Sequence, residues 1–512
     1  MSKLKSEVAP KGINFRPATE FMLGDKYYTI MTVVGYPRSI FPGYLSDITN
    51  IPGVRLAIKH IPISFEILKK MLNKGQIIEV TMLDDQKAIY QNDTVYVNNA
   101  FKNEVLKLKI TNKSRNAYDG KIIKVIKADK MRSRLVCNVY EECGGCNLLH
   151  VDYPSQLMIK QKMIQKQTKL KVNPVVKNDH DLHYRNKMIL GFKKIKGKVV
   201  AGLYAEDSHQ VCPYQYCLLH DKQCDDIVQT IARLIADFKI ELYNEDNRTG
   251  LLRHVLIRKA AVTNEIMVVI VISKSNFPSR NNFIKALLLK HPEITTIIQN
   301  INSRSTSIVL GEEERVLYGK CYIVDYLLGN KYQISSKSFY QINHDQCEKL
   351  YSKAIELLKL NKNDVVLDTY CGIGTIGISL APYVKKVIGV EINGKAVMDA
   401  KNNARINNIH NISFIKDDAS DYMYKLYQNM EKIDAIVMDP PRSGSNEKFI
   451  RSACKIDPKR IVYISCDPST QIRDIRIFNK YGYYCDQLYP FDMFSHTTHI
   501  ETVCLLSRKA SV

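Results

Sequence analysis

The chain has 512 residues, too many for one average domain, and Lys plus Arg outnumber Asp plus Glu by 74 to 52, a formal charge of +22. That excess points to a polyanionic partner such as nucleic acid, since basic side chains that displace phosphate counterions supply most non-specific affinity; Lys-favouring codon usage is the bland alternative. No apolar run approaches the roughly 18 to 20 residues that cross a bilayer, and the start MSKLKSEVAPKG lacks the apolar centre of a secretory signal. A cytoplasmic protein is therefore expected, with its 13 cysteines serving as thiols and ligands rather than disulfides.

Residues 1–72 mix a polar start with short apolar runs and end in a helix-like SFEILKKMLNKG. Over 73–133 the short alternating runs GQIIEVTML, TVYVNN, VLKLKIT and KIIKVIKA predict a small β-barrel, and its many Lys and Arg suit it to phosphates. Residues 134–330 open with CNVYEECGGC, which sets Cys137, Cys143 and Cys146 in a C-x5-C-x2-C arrangement. Close thiolates around a glycine turn can wrap one metal centre, with a fourth ligand from elsewhere. Strand and helix signals such as NEIMVVIVIS follow, and an α+β domain is expected.

From 331 to 512 strands, glycine loops and helices alternate as in a parallel α/β sheet. In DVVLDTYCGIGTIGISLA an apolar strand runs into Asp368 and a glycine loop that opens a helix, so a nucleotide-like ligand can approach backbone. KVIGVEIN ends in Glu391 about twenty residues on, where a carboxylate can accept from ribose hydroxyls; NAD and S-adenosylmethionine proteins share this logic. IDAIVMDPPRSG ends a third strand at Asp439, and RIVYISC ends a fourth at Cys466. Four strands thus deliver Asp368, Glu391, Asp439 and Cys466 to one rim.

The ordered set SSKSFYQIN, LDTYCGIGT, VEIN, DPPRSG, YISCDPSTQIRD and MFSHTTHIE resembles the RNA uracil-C5 methyltransferases that use S-adenosylmethionine. The resemblance implies a Rossmann-like methyltransferase domain with Cys466 as nucleophile and Glu501 as general base. It implies cofactor contacts from Gln341, Tyr370, Glu391 and Asp439. The chemistry accounts for these residue types. Carbon 5 of uracil is a poor nucleophile until a thiolate adds to carbon 6 and makes the ring an enolate. After methyl transfer a base must remove the carbon 5 proton before the thiol leaves. Arg473 and Arg442 are the candidates to favour the Cys466 thiolate. Phe339 and Tyr340 are candidates to hold or replace a base flipped out of its stack, or else core residues.

In the ribosomal branch of that family the cysteine set binds a [4Fe-4S] cluster, and the offset from Ser208 and His209 implies Cys217 as fourth ligand, with Cys212 the competitor and zinc the alternative metal. The barrel resembles that family's TRAM domain. Because the tRNA-modifying branch generally lacks both features, the resemblance implies 23S rRNA as substrate and a monomeric enzyme; tRNA methylation and a decayed RNA-binding protein are the alternatives. HYRNKMILGF adds Arg185 and Lys187 as RNA contacts or a solvated basic strand edge. Residues 1–72 fall outside that layout and are weakly similar to the N-terminal part of conjugation ATPases of the VirB4 type. No G-x-x-x-x-G-K-[ST] loop accompanies them.

Overall fold

The computed structural model describes residues 14–23, 26–34, 72–114, 117–206 and 208–508. The chain divides into two compact units, one ending at Asp129 and the other beginning at Lys130. In the first, Asn14–Leu23 and Lys26–Val34 form an antiparallel hairpin. The remainder of the stretch up to residue 71, with most of the expected helix and of the ATPase-like sequence, lies outside the described residues.

The rest of the first unit is one five-stranded sheet, ordered Ile77–Thr81, Val105–Lys113, Ala117–Lys127, Asp93–Val97 and Lys87–Tyr90. Alternation builds it. Ile78, Val80, Leu106, Leu108 and Ile110 share one buried cluster, while Glu79, Lys107 and Lys109 point outward. A bridge between Met82 and Ala88 joins the ends of the order, so the sheet curls into the expected small barrel.

The second unit holds two large sheets. The seven-stranded one runs Val211–Pro213, Lys198–Tyr204, Lys187–Ile195, Leu252–Lys259, Ile266–Ile272, Ile294–Ile301 and Glu313–Gly319. Helices Lys222–Asp237 and Arg280–Lys290 pack on it through Ile227, Ile231, Phe283 and Leu287. Ile266–Ile272 is buried along its whole length, which explains its unbroken apolar sequence.

The larger sheet runs Ile412–Lys416, Lys386–Glu391, Val365–Thr369, Ala435–Met438, Arg460–Ser465, Glu501–Arg508, Gln487–Phe491 and Lys171–Val172. Its first five strands are parallel and alternate with helices, the expected Rossmann-like arrangement. Glu501–Arg508 returns antiparallel to Arg460–Ser465. The boundary at 331 is not where the polypeptide divides. Helix Tyr153–Gln165 and Lys171–Val172 come from the stretch assigned to the central domain, yet Lys171 and Val172 pair with Gln487 and Leu488. A two-residue strand carries no periodicity from which that pairing could be read.

Candidate active site

Every parallel strand of the larger sheet ends at the same edge, and an antiparallel neighbour begins there. Ser465 pairs with Thr502, so Cys466, just past its strand, lies beside Glu501, the first residue of the returning strand. Asp467 then caps helix Pro468–Lys480 by accepting from the Ser469 amide at 2.9 Å, with Pro468 in the first turn. The acid and proline after Cys466 therefore end the strand and start the helix, fixing the turn that presents the thiol.

Asp439 follows Ala435–Met438 at this edge, and its charge acts on both Cys466 and Glu501. Burial pushes the Asp439 carboxyl up to about 7. Burial, and then the Asp439 charge, push Glu501 well above the usual carboxylate range, with Arg442 opposing. Glu501 is 3 % exposed and its Oε2 has no hydrogen-bond partner among the described residues. Burial, then Glu501 and Asp439, push the Cys466 thiol up to about 11. Arg442 lowers it by charge and by a hydrogen bond to the sulfur. The two arginines expected as alternatives are thereby separated: Arg473 donates to Asp474 Oδ1 at 2.7 Å and to Ser443 O at 2.9 Å, bracing the DPPRSG loop.

The glycine loop lies at the next strand end. Tyr370, Gly372 and Gly374 all have positive φ, at 61°, 55° and 84°, turning the chain sharply into helix Thr375–Leu380. Glu391 accepts from the Gly372 amide at 3.1 Å and the Asn393 amide at 2.8 Å, which ties the second strand's acid to this loop. The Tyr370 ring packs on Phe449, with centroids 5.7 Å apart. Gln341 is buried and bonds the hydroxyl of Tyr351, on helix His344–Leu358 behind the edge. Asp368 does not face the rim with the others. It lies inside its strand, 1 % exposed, accepting from the Gly377 amide at 2.8 Å, and so supports the loop from below.

The family profile of tRNA (Uracil-5-)-methyltransferase matches residues 222–509. An uncharacterized RNA methyltransferase of Bacillus cereus (strain ATCC 10987 / NRS 248) is 37 % identical over 421 residues, spanning 81 % of this chain and 92 % of its own. One from Staphylococcus aureus (strain MRSA252) is 36 % identical over 451 residues, 86 % of this chain and 99 % of its own. The chain belongs to the RNA uracil-C5 methyltransferase family. The crystal structure of Pyrococcus abyssi tRNA (uracil-54, C5)-methyltransferase, in complex with S-adenosyl-L-homocysteine, superposes with a TM-score of 0.66 at 25 % identity, covering 83 % of this chain and 98 % of that one.

Elsewhere in the methyltransferase, Cys137, Cys143, Cys146 and Cys217 line a single cavity, together with Tyr214, Arg185 and His220. Cys212 does not line it; its thiol donates to Glu142 O at 3.3 Å. Burial pushes Cys143 up to about 11 and Cys146 up to about 12, reinforced by the neighbouring thiols. Cys217 differs: burial raises it, but a hydrogen bond from His220 and that residue's charge outweigh burial and bring it below the usual thiol value. His220 is in turn held by Asp225 Oδ1 at 3.2 Å and by the Tyr214 hydroxyl at 3.0 Å. Among the described residues no group of three or more His, Cys, Asp or Glu is set to hold a metal ion.

Arg185 faces this cavity rather than a solvated strand edge, and its Nε is buried without a partner. Burial, with Arg258 beside it in register, pushes Lys187 down to about 8. Tyr340 is buried with its hydroxyl 3.5 Å from Asp325, a core position, whereas Phe339 is 65 % exposed. No motif revealed the ion pair of Lys160 with Asp492, both fully buried, in which Lys160 also donates to Phe494 O at 3.0 Å and His499 O at 2.9 Å. It clamps the segment that leads into Glu501. No helix among the described residues is long and apolar enough to cross a membrane.

Proposed function

We propose that the protein methylates carbon 5 of a uridine in 23S rRNA, with S-adenosylmethionine as donor. The observation that carries the methyl-transfer part of this reading is the Ser465–Thr502 register, which sets Cys466 beside Glu501 at the edge that also carries Asp439 and the glycine loop, while the barrel and the cysteine set support 23S rRNA as the substrate. Gln341, Tyr370, Glu391 and Asp439 hold the cofactor. Cys466 adds to carbon 6 of the flipped base, carbon 5 takes the methyl group, and Glu501 removes the carbon 5 proton so that the thiolate can leave. Asp439 and Glu501, disfavoured in their charged forms by burial and, for Glu501, by the Asp439 charge, would ionise more readily beside a sulfonium cation such as the cofactor. A decayed RNA-binding protein is the weaker reading, because nucleophile and base are both present and adjacent.

Cys137, Cys143, Cys146 and Cys217 fit a [4Fe-4S] cluster. Their four thiols line one cavity, which supports this reading, with zinc the alternative metal for such a donor set. The cluster, when bound, supplies a cross-link between the Cys137–Cys146 and Cys217 segments. The barrel supplies RNA affinity through its outward lysines. The protein acts as a monomer in the cytoplasm. A second reading, tRNA as substrate, is favoured by the Pyrococcus abyssi enzyme, a tRNA methyltransferase 98 % of whose chain superposes on this one. Transfer of labelled methyl to protein-free 23S rRNA and to unmodified tRNA, with Cys466→Ala as control, decides between them. Product on 23S rRNA that disappears in the variant supports the proposal, product on tRNA alone replaces the substrate, and no transfer to either leaves the binding-only reading.

A further inference from the structure

Glu501 has to meet one particular hydrogen of the methylated base, yet its Oε2 makes no hydrogen bond that would fix it. Its position depends on its backbone, which pairs with Phe491 across the sheet, and on the segment that leads into its strand. Within that segment His496 has φ +66°, a conformation that a non-glycine residue keeps only when its surroundings hold it. Gln156, whose Oε1 accepts from the His496 amide at 3.0 Å, and Asp181, 3.0 Å from its Nε2, hold it together with the turn that carries Cys146. The amides of Asn147 and Leu148 both donate to His496 O, at 3.1 and 3.0 Å. The Asn147 side chain accepts from the Thr498 amide at 2.7 Å and donates to Thr498 Oγ1 at 3.3 Å. One exposed residue thus brackets His496 and, 351 positions away, Thr498.

We propose that Asn147 is a positioning residue for proton removal. The inference rests on Glu501 being the base. In that step the carbon 5 proton passes to the Glu501 carboxylate, the electron pair of the broken C–H bond forms the C5=C6 double bond, and the Cys466–C6 bond breaks to release the thiolate. Thiolate addition and methyl transfer come earlier and do not use Glu501. Loss of Asn147 therefore slows the last step and leaves the earlier ones intact, so a methylated protein–RNA adduct accumulates. Because Asn147 is exposed, its substitution leaves the core packing unchanged.

The test incubates wild type, Glu501→Gln, Asn147→Ala and Asn147→Asp with S-adenosylmethionine and transcripts of 23S rRNA and of tRNA carrying 5-tritiated uridine. Tritium release and denaturation-stable adduct are both read, together with iron per protein. Asn147→Ala is expected to release tritium roughly tenfold more slowly, the scale of its two lost, exposed hydrogen bonds to Thr498, and to accumulate adduct. Asn147→Asp keeps the acceptor for the Thr498 amide and is expected to stay within about threefold of wild type. Release at the wild-type rate by Asn147→Ala, or slow release without adduct, overturns the proposal, as does slow release accompanied by loss of iron. If Glu501→Gln accumulates no adduct, the base assignment itself fails, and that outcome is distinguishable because it appears in the control.

Discussion

Cys466 and Cys217 are the same side chain in opposite electrostatic settings. Cys466 ends a strand at an edge that carries Asp439 and Glu501, and its thiol is pushed up to about 11 with Arg442 alone opposing. Cys217 lines a cavity where His220, itself held by Asp225, brings the thiol below its usual value. In the first setting burial and the neighbouring carboxylates favour the neutral thiol. A histidine of the protein itself favours the charged form of the second. The two thiols thus differ in the sign of their dominant charged neighbours, carboxylates beside Cys466 and a histidine beside Cys217.

The largest effect that could break this comparison is on Cys466. Its replacement by Ala is expected to lower methyl transfer on the order of 10⁴-fold or more while leaving cofactor affinity in place, as titration calorimetry would show. An active Cys466→Ala protein would mean that its acidic setting has nothing to do with catalysis. Lys160→Met comes next. It strands the buried Asp492 carboxylate and is expected to cost about 3 to 5 kcal/mol of stability, read by denaturant unfolding, since breaking one side of a buried pair leaves a charge uncompensated.

Arg442→Gln sharpens the contrast by removing the favourable charge that Arg442 places beside Cys466. The thiol then rises further, so the rising limb of the pH–rate profile moves upward by about one pH unit and the rate at neutral pH falls roughly tenfold. The smallest effect concerns Asp439, whose carboxyl sits near 7 in the free protein because burial favours its neutral form. Binding a cation favours the ionised form. Affinity for S-adenosylmethionine should then be flat above pH 7 and fall below it by up to about tenfold per unit, with proton release, while Asp439→Asn removes the slope. Calorimetry in buffers of different ionisation enthalpy reads both quantities.

The catalytic edge was legible in the sequence because each of its residues ends an element with a strong local signature: an apolar strand, a glycine loop, a proline pair, a cap. Strand ends in a parallel sheet converge by topology alone, so the order of motifs was enough to bring Glu391, Asp439 and Cys466 together. Asp368 was misplaced because one residue inside a strand, instead of just beyond it, separates a buried support from a rim residue. The link between Asn147 and Thr498 and the clamp from Lys160 to Asp492 were invisible, since each joins segments more than 300 residues apart through one side chain. The choice of Arg442 over Arg473 was equally hidden. Both lie near Cys466 in the motifs, and only the packing of Arg473 against Asp474 removes it from the reaction.

The most direct test of covalent catalysis is mass spectrometry of the protein after incubation with S-adenosylmethionine and 23S rRNA or tRNA transcripts containing 5-fluorouridine. Fluorine cannot leave carbon 5 as a proton does, so the reaction should stop at a methylated adduct on the peptide that contains Cys466. Natural uridine methylated at carbon 5 in parallel, with no adduct or with one on a different cysteine, would contradict the account.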